Sequence, residues 1–173
     1  MQYLAIACRA AIAVVFALAV GGKLVGRGAF AEFVGSVAAL KLVRPGLARI
    51  TAAATVAAEF STVVLVLLPA AASAMAGCAL GAGLTLAFAV TIVRNLRTGN
   101  RTPCRCFGRS SVPLGGRHLV RNTILLLVCL AGLILSASGG EIRLAAGSVA
   151  VLGGLFVGLV IAGFDSIAEL LAG

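Results

Sequence analysis

Acidic side chains are scarce in this chain: Asp and Glu together number 5 among 173 residues. Charged residues of both signs make up only 11%, whereas 61% are hydrophobic. A water-soluble domain of this length has too little interior to hide so much apolar surface. Soluble globular folds are therefore excluded. Tryptophan is absent and Tyr3 is the sole tyrosine, so the usual aromatic belt at the membrane–water interface is thin. The chain also lacks a cationic segment ahead of its first apolar run. Met1-Gln2-Tyr3 carries no basic side chain, and Arg9 falls inside the run. A cleavable signal peptide needs that cationic start, so the first span is expected to remain as an anchor.

What is abundant is apolar sequence in long blocks. Several stretches approach the ~20 residues that a helix needs to cross a bilayer. Span one is expected over about Leu4 to Leu24, span two over Leu47 to Leu68, and span three over Ala71 to Val93. Span four is expected over about Leu119 to Leu135, and span five over Leu144 to Phe164. Between spans one and two, Phe30, Phe33, Val34, Val37 and Leu40 recur at helical spacing. That pattern predicts a short amphipathic helix in the interface, closed by Pro45. The fold class is an all-α polytopic bundle of about five transmembrane helices, four forming a core and one added. Residues 1–173 are read as a single integral membrane domain, with no convincing repeat and no disordered linker.

Lys and Arg outnumber Asp and Glu by 14 to 5, for a net charge of +9. The cations sit in short loops beside apolar spans, where they orient helices and meet anionic lipid head groups. The bilayer is thus the expected partner, and nucleic acid is not. Lys23, Arg27, Lys41, Arg44 and Arg49 flank the first loop, and a longer arginine series flanks the third. The second loop has no cation and the fourth has only Arg143. The charge bias then places loops one and three in the cytoplasm, with the N-terminus outside. Gly77/Gly81 and Gly154/Gly158 form small-xxx-small pairs suited to close helix contact.

Two polar features interrupt the apolar pattern. Glu59 lies near the middle of span two, where a carboxylate is costly unless it is protonated or faces the bundle interior. It is read either as a proton site or quinone contact, or as a hydrogen-bonded lock between helices with Arg9 or Lys23. The second feature is Pro103-Cys104-Arg105-Cys106-Phe107-Gly108, in the basic loop between spans three and four. A thiol attacks a disulfide as its thiolate, and nearby cations favour that form. Arg101, Arg105 and Arg109 surround the pair. Pro103 restrains the chain before the first thiol, and Gly108 frees it after the second. A disulfide across one intervening residue closes a small strained ring, which suits exchange over stapling. Zinc held by Cys104, Cys106 and His118 is a competing reading, but a closed site needs four ligands and no fourth is obvious. Incidental loop cysteines are another. Cys8, Cys78 and Cys129 lie in or near spans and are read as packed small residues.

Taken together, several residues resemble the MauE/DoxX group of redox-associated membrane proteins. They are Gly22-Lys23 after span one, Phe30, Phe33 and Ser36, then Pro45 and Glu59. Arg97-Thr98-Gly99, the Cys-x-Cys-Phe-Gly run and Arg121-Asn122 complete the set. The resemblance covers about residues 4–135, with span five, about 144–164, as an addition. The family's middle residue between the cysteines is often Gly; here Arg105 stiffens the ring and makes the site more basic. The resemblance implies a role in disulfide formation or electron delivery, with the thiols at Cys104 and Cys106. The family's namesake is associated with maturation of the disulfide-rich small subunit of methylamine dehydrogenase, alongside a thioredoxin-like partner. Many relatives lie outside methylamine metabolism, so the resemblance carries over the redox role and not that substrate. Such partners act outside the cytoplasm, where disulfides persist, whereas the charge bias places the loop inside.

The expected function is a multi-pass, cell-membrane thiol–disulfide component. It would exchange electrons with a thioredoxin-like or disulfide-bearing protein through Cys104 and Cys106. Quinone is the candidate cofactor. Glu59 and Lys23 are the intramembrane polar residues of interest. Two alternatives stay open: a non-enzymatic scaffold or assembly subunit, and a small-solute transporter using Glu59.

Overall fold

The computed structural model of the chain describes residues 1–40, 43–97, 116–137 and 144–172. Among these residues every regular element is a helix. The elements are α1 (Gln2–Leu24), α2 (Ala29–Ala39), a 3-10 turn (Pro45–Leu47), α3 (Ala48–Leu67), α4 (Ala71–Arg97), α5 (Gly116–Ser136) and α6 (Leu144–Ala172). All but α2 and the turn are long and apolar enough to cross a membrane, giving 5 candidate spans. A backbone in hydrocarbon must satisfy its polar groups within the segment, and the helix does this. Threonines in the spans follow the same rule. Thr55, Thr62, Thr85, Thr91 and Thr123 each donate their hydroxyl to the carbonyl one turn earlier.

Residue-level contacts set the helix directions. Arg9 of α1 reaches Val66 and Leu68 at the end of α3, while Lys23 reaches Glu59. These two helices are therefore antiparallel. Gly77 and Gly81 of α4 face Val66 and Thr62 of α3 in descending order, so this pair is antiparallel too. Gly154 and Gly158 of α6 lie against Ala7 to Val14 of α1 in ascending order, which makes α6 parallel to α1. Five spans then leave the two ends of the chain on opposite faces. The connections 25–47 and 98–115 leave from one end of the bundle, called here the loop end. The tight Leu68–Ala70 corner lies at the other end, where Pro69 forbids continued helix.

The expected four-plus-one architecture is present. Helices α1, α3, α4 and α5 enclose the core, and α6 packs along the outer side of α1. Helix α1 is central, and its buried positions include Ile12, Val15, Phe16 and Ala19. Around them pack Val66, Cys78, Leu125 and Cys129. Large side chains such as Phe60, Leu127, Ile134, Leu152 and Phe156 point outward. In water that would be a liability, but in a bilayer it is the lipid-facing surface.

Both glycine pairs read from the sequence are close approaches. A Cβ on Gly154 would overlap the Ala7 carbonyl oxygen, and one on Gly158 would overlap Val14. A Cβ on Gly77 would sit 2.9 Å from the Val66 backbone nitrogen. These helices touch backbone to backbone, as small residues permit.

The element boundaries differ from the hydropathy reading at the basic loop and at the end of the fifth span. Helix α4 continues through Arg94 to Arg97, and α5 begins at Gly116, so part of the basic loop is helix. Cations in the last turn of α4 complement the negative end of its dipole. Hydropathy cannot see that gain. Helix α6 likewise continues beyond Phe164 to Ala172.

Helix α2 forms where the amphipathic spacing predicts it. Its entry needs two left-handed residues, Gly26 at φ +118° and Gly28 at φ +85°. A side chain is strained in that region and glycine is not. Phe33 is the one fully buried side chain of α2, packed with Ala52 and Val56 of α3.

Candidate functional site

Helix α3 carries a buried stripe of Ala52, Val56, Glu59, Thr62 and Val66. The spacing is that of one helix face, so Glu59 is a core residue by position, about three turns into the helix. Helix α1 carries Lys23 on the face that holds Ile12, Phe16 and Ala19. The two charges meet. Lys23 Nζ donates to Glu59 Oε1 at 2.7 Å and to Oε2 at 2.8 Å, and both side chains are 0% exposed. The Ala19 carbonyl accepts from the same ammonium at 3.4 Å.

Two aromatic rings complete the surroundings of the ammonium. The Phe33 ring, from α2, has its centroid 5.0 Å from Nζ. The Phe88 ring, from α4, has its centroid at 6.0 Å. A cation over an aromatic face within about 6 Å is attracted by the ring quadrupole. Four helices therefore converge on one site: α1 and α3 supply the charges, α2 and α4 the rings. Of the two ion-pair partners open to Glu59 on sequence, Lys23 is the one used. Arg9 instead closes the end of α3. Its Nε donates to the Val66 carbonyl at 2.8 Å, and its Nη2 to the Leu68 carbonyl at 2.6 Å. These are carbonyls that the helix terminus leaves without intrahelical donors.

A second constellation lies nearer the Leu68–Ala70 end. Cys8, Cys78 and Cys129 are buried free thiols from α1, α4 and α5. The Cys78 sulfur sits 3.1 Å, and Cys8 Cβ 3.3 Å, from where a Cβ on Gly132 would stand. The Cys129 sulfur sits 3.3 Å from the corresponding point on Gly81, with its thiol against Thr85. Cysteine and glycine thus exchange places across the α4–α5 contact. The expectation that these cysteines are packed small residues matches this arrangement. Their mutual approach was invisible in sequence, because it depends on how three helices rotate against one another.

A third polar group lies at the loop end. Asn95 of α4 and His118, Arg121 and Asn122 of α5 are all buried. Asn122 Nδ2 donates to the His118 carbonyl at 2.7 Å. They stand at the two anchor points of the connection 98–115. Within that connection Pro103, Cys104, Arg105, Cys106, Phe107 and Gly108 lie outside the described residues, as do Arg101 and Arg109. His118, weighed above as a third zinc ligand, is in the helix. Among the described residues no three His, Cys, Asp or Glu side chains gather as a metal site.

The helix content, the five apolar spans and the buried charge pair define a polytopic α-helical membrane protein. More particularly, the chain belongs to the MauE family: the family model described as methylamine utilisation protein MauE matches residues 1–135. That range takes in α1 to α5, with the ion pair, the three buried thiols and the Cys-x-Cys-Phe-Gly run. Helix α6 lies beyond it. No curated protein and no solved structure matches the chain.

Proposed function

We propose that the protein is a membrane-embedded thiol–disulfide component that exchanges electrons with a thioredoxin-like or disulfide-bearing partner through Cys104 and Cys106. Membership of the MauE family over residues 1–135 carries this reading. The placement of its two flanking helix ends supports it: α4 closes at Arg97 and α5 opens at Gly116, at the same end of the bundle as α2.

The chemistry is two successive displacements. The thiolate of one cysteine attacks a disulfide sulfur of the partner, whose S–S bond breaks as a mixed disulfide forms. The second thiol, once deprotonated, attacks the mixed disulfide. The partner leaves as a dithiol, and Cys104 and Cys106 are joined. Two electrons have then passed to the partner, and its sulfurs have taken up the two protons. The same steps in reverse oxidise a reduced partner. Arg101, Arg105 and Arg109 are close in sequence to the pair and favour the attacking thiolate.

The test is a trapping experiment in native membranes. Cys104→Ser and Cys106→Ser are made singly, so that a mixed disulfide has no resolving thiol. One of the two variants should retain a partner as a reducible, higher-mass adduct. A double variant that keeps full function would instead identify a scaffold or assembly subunit. Labelling with a membrane-impermeant thiol reagent, before and after reduction, reports which face the pair occupies.

A further inference from the structure

The Lys23–Glu59 pair is unevenly provided for. The ammonium has the carboxylate, the Ala19 carbonyl and two aromatic faces. The carboxylate accepts at 2.7 Å and 2.8 Å from Lys23, one bond to each oxygen. A lock that served only to join α1 to α3 would need no rings over the cation. What the rings and the carbonyl allow is a cation that stays in place when its counter-charge is gone.

We infer that Glu59 is a proton-binding site inside the membrane, with Lys23 held as the ammonium by Phe33, Phe88 and Ala19 while the carboxylate is protonated. The inference is independent of the thiol chemistry proposed above. The step is simple in atoms and charge. A hydronium ion gives one proton to a Glu59 carboxylate oxygen, forming an O–H bond and releasing water. No electron moves. The pair passes from net zero to one positive charge, which remains on Lys23 Nζ.

Among the described residues the charge in contact with Glu59 is Lys23, while His118 and Arg121 of α5, which packs on α1, are buried at the same loop end. On α3 itself Arg49 is exposed near the start of the helix. Glu32 is exposed on α2, and Arg94 and Arg97 are exposed at the end of α4. Arg9 of α1 is engaged at the far end of α3. Lys23 is thus the charged group that directly contacts Glu59. Helix α2 covers the pair on one side. Its one fully buried side chain is the Phe33 ring itself, and its entry turns on Gly26 and Gly28.

The test is infrared spectroscopy of the full-length protein in lipid vesicles, titrated with acid and in heavy water. A protonated carboxyl in a dry site gives a carbonyl stretch well separated from those of exposed acids. The wild-type protein should develop such a band as pH falls, and Glu59→Gln should lack it. Glu59→Asp keeps a carboxyl at the site and should shift the band, which preserves the assignment if the Gln variant does not fold. Phe33→Leu and Phe88→Leu remove one ring each. Each should move the midpoint of the band by roughly one pH unit to lower pH, as expected for loss of a cation–π contact. A merely structural pair would leave that midpoint unmoved. Absence of a Glu59 band at every pH where the protein stays folded overturns the inference, as does an unchanged midpoint in both ring variants.

Discussion

Cys78 fills the space that Gly132 leaves empty, its sulfur 3.1 Å from where a Gly132 side chain would begin. Cys129 does the same for Gly81 at 3.3 Å. Antiparallel helices with Cys and Gly three residues apart can interlock in this way, because i and i+3 share a face. A Gly132→Ala substitution presses its new methyl on Cys78, and on Cys8 Cβ at 3.3 Å. The expected loss is about 1–3 kcal/mol, the usual cost of overpacking. Denaturant titration in mixed micelles measures it. Adding Cys78→Ala should recover most of the loss, since it removes the sulfur that the methyl meets.

The seam between α1 and α6 gives a sharper contrast. Gly154 is buried against Ala7 and Ala10, whereas its neighbour Gly153 has nothing within 4 Å of a Cβ. Gly154→Ala should loosen α6 from α1, with a fall in thermal midpoint and faster proteolysis between α5 and α6. Gly153→Ala should be neutral or slightly stabilising, because Ala is the better helix former. Equal effects from the two substitutions would contradict the packing described here.

The ion pair should behave as a coupled unit. Lys23→Met alone leaves the Glu59 carboxylate buried without its counterpart, at an expected cost of about 3–5 kcal/mol. Glu59→Gln leaves an ammonium still held by two rings and a carbonyl, and should cost less. The double variant Lys23→Met/Glu59→Leu removes both charges and should be much closer to wild type than the sum of the single losses. A double-mutant cycle by denaturant titration provides the check. Additive losses would mean that the two side chains do not interact.

Arg9 predicts a difference between two replacements. Arg9→Ala strips the Val66 and Leu68 carbonyls of their donors at the end of α3. A loss of about 1–3 kcal/mol is expected. Arg9→Lys keeps the charge but cannot serve both carbonyls with the geometry of a guanidinium fork, so it should recover only part of that loss. Amide exchange at the Leu68–Ala70 corner would show the same order.

Thiol reactivity should divide the cysteines by depth. Cys78 and Cys129 are 0% exposed. In intact vesicles both should resist a maleimide that reaches water-facing thiols, and react only after denaturation. Mass spectrometry of the labelled protein separates these positions from Cys104 and Cys106. Labelling of Cys129 in the folded protein would show that the core opens.

Much of this molecule follows from dehydration alone. A run of apolar residues long enough to cross hydrocarbon must become a helix, so α1, α3, α4, α5 and α6 are legible as runs, and α2 as a periodic pattern. Glycine pairs at four-residue spacing were legible as close contacts for the same local reason. The Cys104/Cys106 pair is legible because the two thiols lie one residue apart among arginines. Helix ends were less legible. Arg94 and Arg97 look like loop by hydropathy, yet the helix dipole keeps them in α4.

The sequence by itself determined that the chain is a membrane-spanning helical bundle of the MauE family, and that Glu59 lies within one of its apolar spans. Only the tertiary structure decided that Lys23 rather than Arg9 answers Glu59, that Phe33 and Phe88 roof the pair, and that three distant cysteines converge. Span formation is a property of one segment and its solvent, readable along the chain. Partner choice depends on the rotation and crossing of helices that are far apart in sequence. No local pattern encodes those angles, because they are set by where glycine and alanine let whole backbones approach.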